Sequence, residues 1–112
     1  MASAARITDS IFGNDGGEHS GHVLNPHPVG PLTGYISSCS FNVFINNLGA
    51  ARIGDTTKEF DQCCGSSHGA VGQGSRTVYV NGIPFSRLGD RINPHHGAAN
   101  ITSGSPNVFV GG

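Results

Sequence analysis

One short phrase occurs three times in this chain: "SAARITD" at residues 3–9, "GAARIGD" at residues 49–55 and "PFSRLGD" at residues 84–90. Each copy runs from a small or cyclic residue through a pair that is mostly Ala to an Arg, an aliphatic residue, Gly or Thr8, and Asp. A second pattern recurs as "SCSFNVFINN" at 38–47, "QGSRTVYVNG" at 73–82 and "SGSPNVFVGG" at 103–112. Aligning Ser40, Ser75 and Ser105 brings Val43, Val78 and Val108 into register, then Phe44, Tyr79 and Phe109, then Ile45, Val80 and Val110. Between phrase and pattern lies a stretch of different length each time. Such a chain folds into three like units, and short units that cannot bury their apolar faces alone must share one core.

The second pattern alternates with period two and is rich in β-branched and aromatic residues, which predicts a strand. Asn46-Asn47 and Asn81-Gly82 follow as turn dipeptides, and the Ala-Arg phrase then resumes an extended run. Strand, tight turn and strand make a β-hairpin. No helical period of useful length is present. The stretch from about 10 to 33 holds "GNDGGEHSGH" and "NPHPVGP", whose Gly and Pro predict a long irregular loop. The expected fold is all-β: a small pseudo-threefold structure of three β-hairpin repeats, with long loops between them. The third pattern stops at Gly111-Gly112, where its turn is due, and residues 3–9 can supply the return strand. The expectation is one domain over 1–112, with repeat motifs at 3–9, 38–55, 73–90 and 103–112 and no extension domain.

Composition narrows the function classes. Charged residues are 12% of the chain, about half of the usual ~25%, and Gly supplies 18 of 112 residues. This favours turns and backbone-rich structure over solvated helices. A net charge of −1, with six Lys and Arg scattered along the chain, gives no footprint for nucleic acid. No apolar run approaches the ~18 residues of a membrane span. The N-terminus lacks the basic and apolar regions of a signal peptide, so synthesis in the cytoplasm is expected. Three cysteines in a reducing compartment suggest thiols or metal ligands rather than disulfides.

Most of the Cys and all of the His fall in the variable stretches: His19, His22 and His27; Cys63, Cys64 and His68; His95 and His96. His68-Gly69-Ala70 and His96-Gly97-Ala98 hold the same place in their repeats. Cys64 and His68 are four apart, a common local ligand spacing. Three imidazoles and one thiolate would make a closed tetrahedral zinc set. His22 and His27 compete for the first-repeat position, and only one of the adjacent Cys63 and Cys64 need point inward. The candidate ligands are thus His22, His27, Cys64, His68 and His96. Cys39, which stands where other repeats have Gly74 and Gly104, reads as a packing residue. Each Arg of the phrase pairs either with a partner molecule or with the Asp that follows it. A small zinc hydrolase is the alternative function, but Glu18 and Glu59 are the only glutamates and neither stands in a His-Glu-x-x-His arrangement.

The tripled Ala-Ala-Arg phrase, with the Gly-Ser-x-x-Val strand pattern, resembles the PAAR-repeat proteins over nearly the whole chain. The phrase departs from the family's form at Thr8, at Gly49 and at Phe85-Ser86. The resemblance implies the tip protein of a contractile injection machine, either a type VI secretion spike or a phage tail spike. Such a tip is no enzyme: it caps a trimeric β-helical spike of the VgrG kind, one cap per trimer, and sharpens it for piercing a membrane. It further implies a small conical fold whose long loops converge on a metal-bound tip, and one structural zinc ion there, with His68 and His96 as His-Gly ligands, Cys64 as the thiolate, and His27 or His22 as the first-repeat ligand. The expected partners are the spike trimer, cargo effectors and, transiently, the target membrane. The expected location is the injection apparatus or virion tail.

Overall fold

The computed structural model describes residues 2–14, 31–61, 65–94 and 98–111. All regular structure among them is β. In chain order the strands are β1 Ala2–Ser3, β2 Ser10–Asn14, β3 Pro31–Ile36, β4 Phe44–Ile45, β5 Leu48–Gly49, β6 Thr56–Asp61, β7 Gly65–Val71, β8 Tyr79–Val80, β9 Ile83–Pro84, β10 Arg91–Asn93, β11 Ala98–Ile101 and β12 Phe109–Val110. They form two tiers. Three two-stranded hairpins, β4-β5, β8-β9 and β1-β12, make a platform, and the six longer strands close into a barrel in the order β10-β11-β2-β3-β6-β7. The molecule measures 44 × 23 × 23 Å, one long axis and two equal short ones.

The platform hairpins are those anticipated from the repeated pattern. Asn46 and Asn47 have φ of 54° and 68°, and Asn81 and Gly82 have φ of 54° and 77°. Two successive left-handed residues make a type I′ turn, whose twist matches that of paired strands, and Asn and Gly tolerate the conformation best. The third hairpin joins strands far apart in sequence. Ala2 pairs with Val110 and Ser3 with Phe109, and this pairing closes the figure.

The repeats meet at a ring of backbone hydrogen bonds. Ala5 N–H donates to Ser86 O (3.1 Å), Ser86 N–H to Ala51 O (3.0 Å) and Ala51 N–H to Ala5 O (3.1 Å). This closed triangle marks a pseudo-threefold axis, and it explains the paired small residues of the phrase. Successive residues of an extended segment point to opposite faces. Ala4 and Ala50, with Phe85 in the third repeat, join a platform cluster with Val80 and Val110, while Val43, Ile45 and Val108 pack partly against it. Ala5 and Ala51 turn the other way, into the barrel floor with Ile11, Leu32, Ile36, Val71, Ile92, Ala99 and Ile101. Close approach of three backbones leaves no room for larger side chains at the ring. Each fully buried Ile or Leu of the barrel contributes roughly 2–3 kcal/mol.

The barrel corrects one expectation. The stretch from about 10 to 33 is not irregular throughout, because it opens with β2 and holds the start of β3, and the other two variable stretches also begin and end as strands. Each stretch is a hairpin that leaves the platform and returns to it. The Gly residues mark close contact here rather than a break. A Cβ at Gly13 would collide with Ala98 O, and one at Gly34 with Lys58 O, so only a bare backbone fits a barrel this narrow. The strand ends at Asn14, Pro31, Asp61, Gly65, Asn93 and Ala98 lie at the end of the barrel away from the platform.

Candidate functional site

Two ends of the axis concentrate the chemistry. At the platform, every repeat closes on the same bracket. Arg6 N–H donates to Asp9 Oδ2 (2.7 Å), and the Arg6 side chain reaches both carboxylate oxygens through Nε (3.0 Å) and Nη2 (2.9 Å). Arg52 holds Asp55 in the same way, and Arg87 holds Asp90. The bidentate geometry and the low exposure of the three Asp make these brackets stronger than surface ion pairs. The hydrogen bond to Asp raises each Arg above its ordinary pKa, against the opposing pull of desolvation. Of the two roles open to these arginines, the fold-internal one is what the structure has. The position between each Arg and Asp is left-handed, at φ 91° for Gly54 and 92° for Gly89, and Thr8 adopts it as well at φ 72°.

A second set of contacts ties neighbouring repeats together. Ser40 Oγ donates to Asn81 Oδ1 and Ser105 Oγ to Asn46 Oδ1, both at 2.6 Å. Ser75 Oγ makes the third contact with the backbone carbonyl of Gly111, also at 2.6 Å. Each Ser Oγ also accepts the N–H three residues on, from Val43, Val78 and Val108. The turn Asn of one repeat is thus a latch for the next, a role that turn propensity alone did not reveal.

The aromatic of each strand pattern points away from the core. Phe44, Tyr79 and Phe109 are 59%, 55% and 53% exposed. One exposed ring per hairpin, at the same position in each, gives the platform three like apolar contacts.

At the barrel's other end the sequence placed the metal. Of its candidates, His22, His27, Cys64 and His96 lie outside the described residues. His68 is described and exposed, on β7 opposite Lys58. The neighbouring positions Gly69 and Val71 take the inner face of β7, so His68 stands on the outer wall. Among the described residues, no group of three or more His, Cys, Asp and Glu side chains is placed to hold a metal. Cys39 is half-buried, and a Cβ at Gly49 would collide with its Sγ, in keeping with a packing role.

One residue of this end carried a weaker signal in the sequence than its placement warrants. Glu59 is 0% exposed inside the barrel and accepts a hydrogen bond from Thr57 Oγ1 (3.0 Å). Gly69 clears its space, since a Cβ there would collide with Glu59 Oε2. Glu59 is thus a buried carboxylate held by a hydroxyl beside bare backbone.

Comparison with known proteins agrees with the repeats. A family model described as the PAAR motif matches residues 62–112. The NAD(P)(+) glycohydrolase toxin Tse6 of Pseudomonas aeruginosa strain PAO1 is 35% identical over 88 residues, which cover 73% of this chain and 20% of that protein. The (p)ppApp synthetase toxin Tas1 of Pseudomonas aeruginosa strain UCBPP-PA14 is also 35% identical over 88 residues, covering 19% of its length. The chain therefore spans about a fifth of the curated relatives it matches.

Proposed function

The chain belongs to the PAAR-motif proteins, and from that premise we propose that it is the tip of a contractile injection machine, seated as a single copy on a trimeric β-helical spike. The observation that carries this reading is the platform: three equivalent hairpins around one axis, each with an exposed aromatic at the same position. A homotrimer ends in three identical surfaces. One chain meets all three only if it presents three similar patches, and a ring built from three near-copies of one hairpin does so. The cap would cover strand edges that a spike otherwise leaves unpaired. The narrow end would then lead into the target membrane, with type VI secretion or a phage tail as the machine.

At that narrow end, one zinc ion is the fitting metal for imidazole and thiolate donors. His27 or His22, Cys64 and His96 would hold it from the three connections. His68, the remaining donor of the sequence-based set, stands on the outer wall. The metal would be structural, adding folding energy to a small domain. A hydrolytic role gains nothing from Glu59, which is sealed in the barrel and already holds the Thr57 hydroxyl. The relatives are toxins in which a comparable stretch is about a fifth of the protein. Delivery of attached or bound cargo is therefore part of the proposal.

Native mass spectrometry of the chain mixed with a candidate spike trimer tests the capping role. The expected complex holds one chain per trimer, and three chains per trimer would overturn it. Metal analysis of the purified chain tests the zinc: about one per chain is expected, and an equally stable metal-free protein would exclude it.

A further inference from the structure

We infer that the third corner of the platform carries a binding notch for a partner protein, which takes an aliphatic side chain together with a neighbouring carbonyl. The inference stands apart from the zinc and capping readings, and its test needs neither.

The three corners are built alike, which shows what one of them lacks. Leu48 pairs with Ile45, Ile83 with Val80 and Ala2 with Val110. Directly opposed residues of an antiparallel pair share a face. Each hairpin also lies against the Arg phrase in the same way: Ile7 N–H donates to Gly49 O, Ile53 N–H to Pro84 O and Leu88 N–H to Ser3 O. Leu48 and Ile7 therefore hold the same relation as Ile83 and Ile53, and as Ala2 and Leu88. At the first two corners both members are branched and half-buried. At the third the methyl group of Ala2 falls short of its counterparts, and Leu88 is 39% exposed.

A notch of about 440 Å³ lies at this place, lined by Ala2, Gln73, Arg87, Leu88, Asp90 and Val110. That volume is in the range of ligand pockets. Ala2, Leu88 and Val110 are its apolar lining and suit an aliphatic side chain. The polar lining selects the second half of the ligand. Arg6 Nη1 donates to Asn46 Oδ1 at 3.2 Å and Arg52 Nη1 to Asn81 Oδ1 at 3.3 Å, but Arg87 Nη1 has the carbonyl of Gly111 at 3.5 Å. Asp90 already neutralises Arg87, so the acceptor this N–H favours is a neutral carbonyl rather than a second carboxylate. The chain itself shows the matching ligand at its other corners. Asn46-Asn47-Leu48 and Asn81-Gly82-Ile83 each set an amide oxygen and an aliphatic side chain two residues apart. A partner segment with Leu or Ile two residues after Asn supplies what the third corner lacks. Leu48 and Ile83 fill the corresponding places, so one such segment binds per chain.

The test uses the whole chain and the peptide acetyl-Asn-Gly-Ile-Pro-amide, the sequence of residues 81–84, titrated while the methyl NMR signals of Leu88 and Val110 are followed. Saturable shifts centred on these two residues are expected. The same peptide with Ala in place of Ile should bind about 10-fold more weakly, as loss of a buried branched side chain predicts. Ala2→Leu installs the first corner's own residue; it should raise the melting temperature and lower peptide affinity by about 10-fold. Leu88→Ser, at an exposed position outside the Arg–Asp bracket, should also weaken binding and guards against a first variant that merely fails to fold. Absence of saturable shifts in the wild-type chain would overturn the inference, as would equal affinity for the Ile and Ala peptides. Unchanged affinity in either folded variant would put the peptide elsewhere and overturn it too.

Discussion

The platform and the barrel are made by the same three repeats, yet they keep threefold symmetry to different depths. In the platform the equivalence reaches individual hydrogen bonds, with the Gly111 carbonyl in place of a turn Asn at one latch. The Arg–Asp bracket is the same three times, the ring bonds are 3.0–3.1 Å, and the Ser latches are all 2.6 Å. In the barrel only the backbone corresponds. Two residues after each Asp stand the buried Ile11, Thr57 and Ile92, and two residues further on stand Gly13, Glu59 and Pro94. The difference teaches where a repeat protein is constrained. Where the three copies meet one another around the axis they stay alike, and where each faces only the lumen they diverge.

The largest effect expected from this contrast lies at the ring. Ala51→Leu adds volume where three backbones meet, and overpacking of this kind costs about 3 kcal/mol. The melting temperature should fall by roughly 10 °C. Four Gly-Ser residues inserted in the 15–30 connection should cost about 1 kcal/mol or less, because loop closure entropy grows slowly with length. Equal losses from the two changes would break the contrast.

Next come the brackets. Asp9→Ala, Asp55→Ala and Asp90→Ala each remove a charge-assisted acceptor and should each cost about 2–3 kcal/mol in chemical denaturation. If one site differed from the others by much more than its neighbours do, the atomic equivalence of the platform would be superficial.

Smaller effects sharpen the same comparison. Phe44→Ala, Tyr79→Ala and Phe109→Ala should each weaken spike binding by about 1–2 kcal/mol, measured by calorimetry, with little change in melting temperature because each ring is exposed. Three unequal losses would mean that the spike meets the hairpins differently. Thr8→Gly should stabilise the chain by about 1 kcal/mol, since a β-branched residue there adopts a left-handed conformation that its counterparts Gly54 and Gly89 adopt without strain. An unchanged or lower melting temperature would show that Thr8 compensates elsewhere.

Much of the platform was legible in the sequence because its signals are local. A strand pattern ending in Asn-Gly or Asn-Asn names its own turn, and an Arg three residues before an Asp can close its own bracket. The latches were not legible, because Ser40 meets Asn81 and Ser105 meets Asn46 only after the repeats assemble. The barrel was hidden for a different reason. Its inward positions include Gly13, Gly34 and Gly69, which crowding keeps small, so the apolar alternation of a strand is broken where it should show. Gly-rich strands then read as loops. At the barrel's far end, the His-Gly-Ala register drew His68 and His96 together, but a register of sequence does not say which side of a strand a residue takes. His68 takes the outer wall. Glu59 was noticed only for lacking a catalytic motif, since burial in a lumen leaves no mark on the sequence around it.

The pairing of Ala2 with Val110 and Ser3 with Phe109 has a consequence for the life of the chain. Its two strands come from opposite ends of the described residues, so the platform's third corner is the slowest contact to form, as long sequence separations are. During synthesis the phrase at residues 3–9 waits without its partner. A chain that stops before β12 has two finished corners and one open one, so closure of the triangle reports that synthesis has passed Val110.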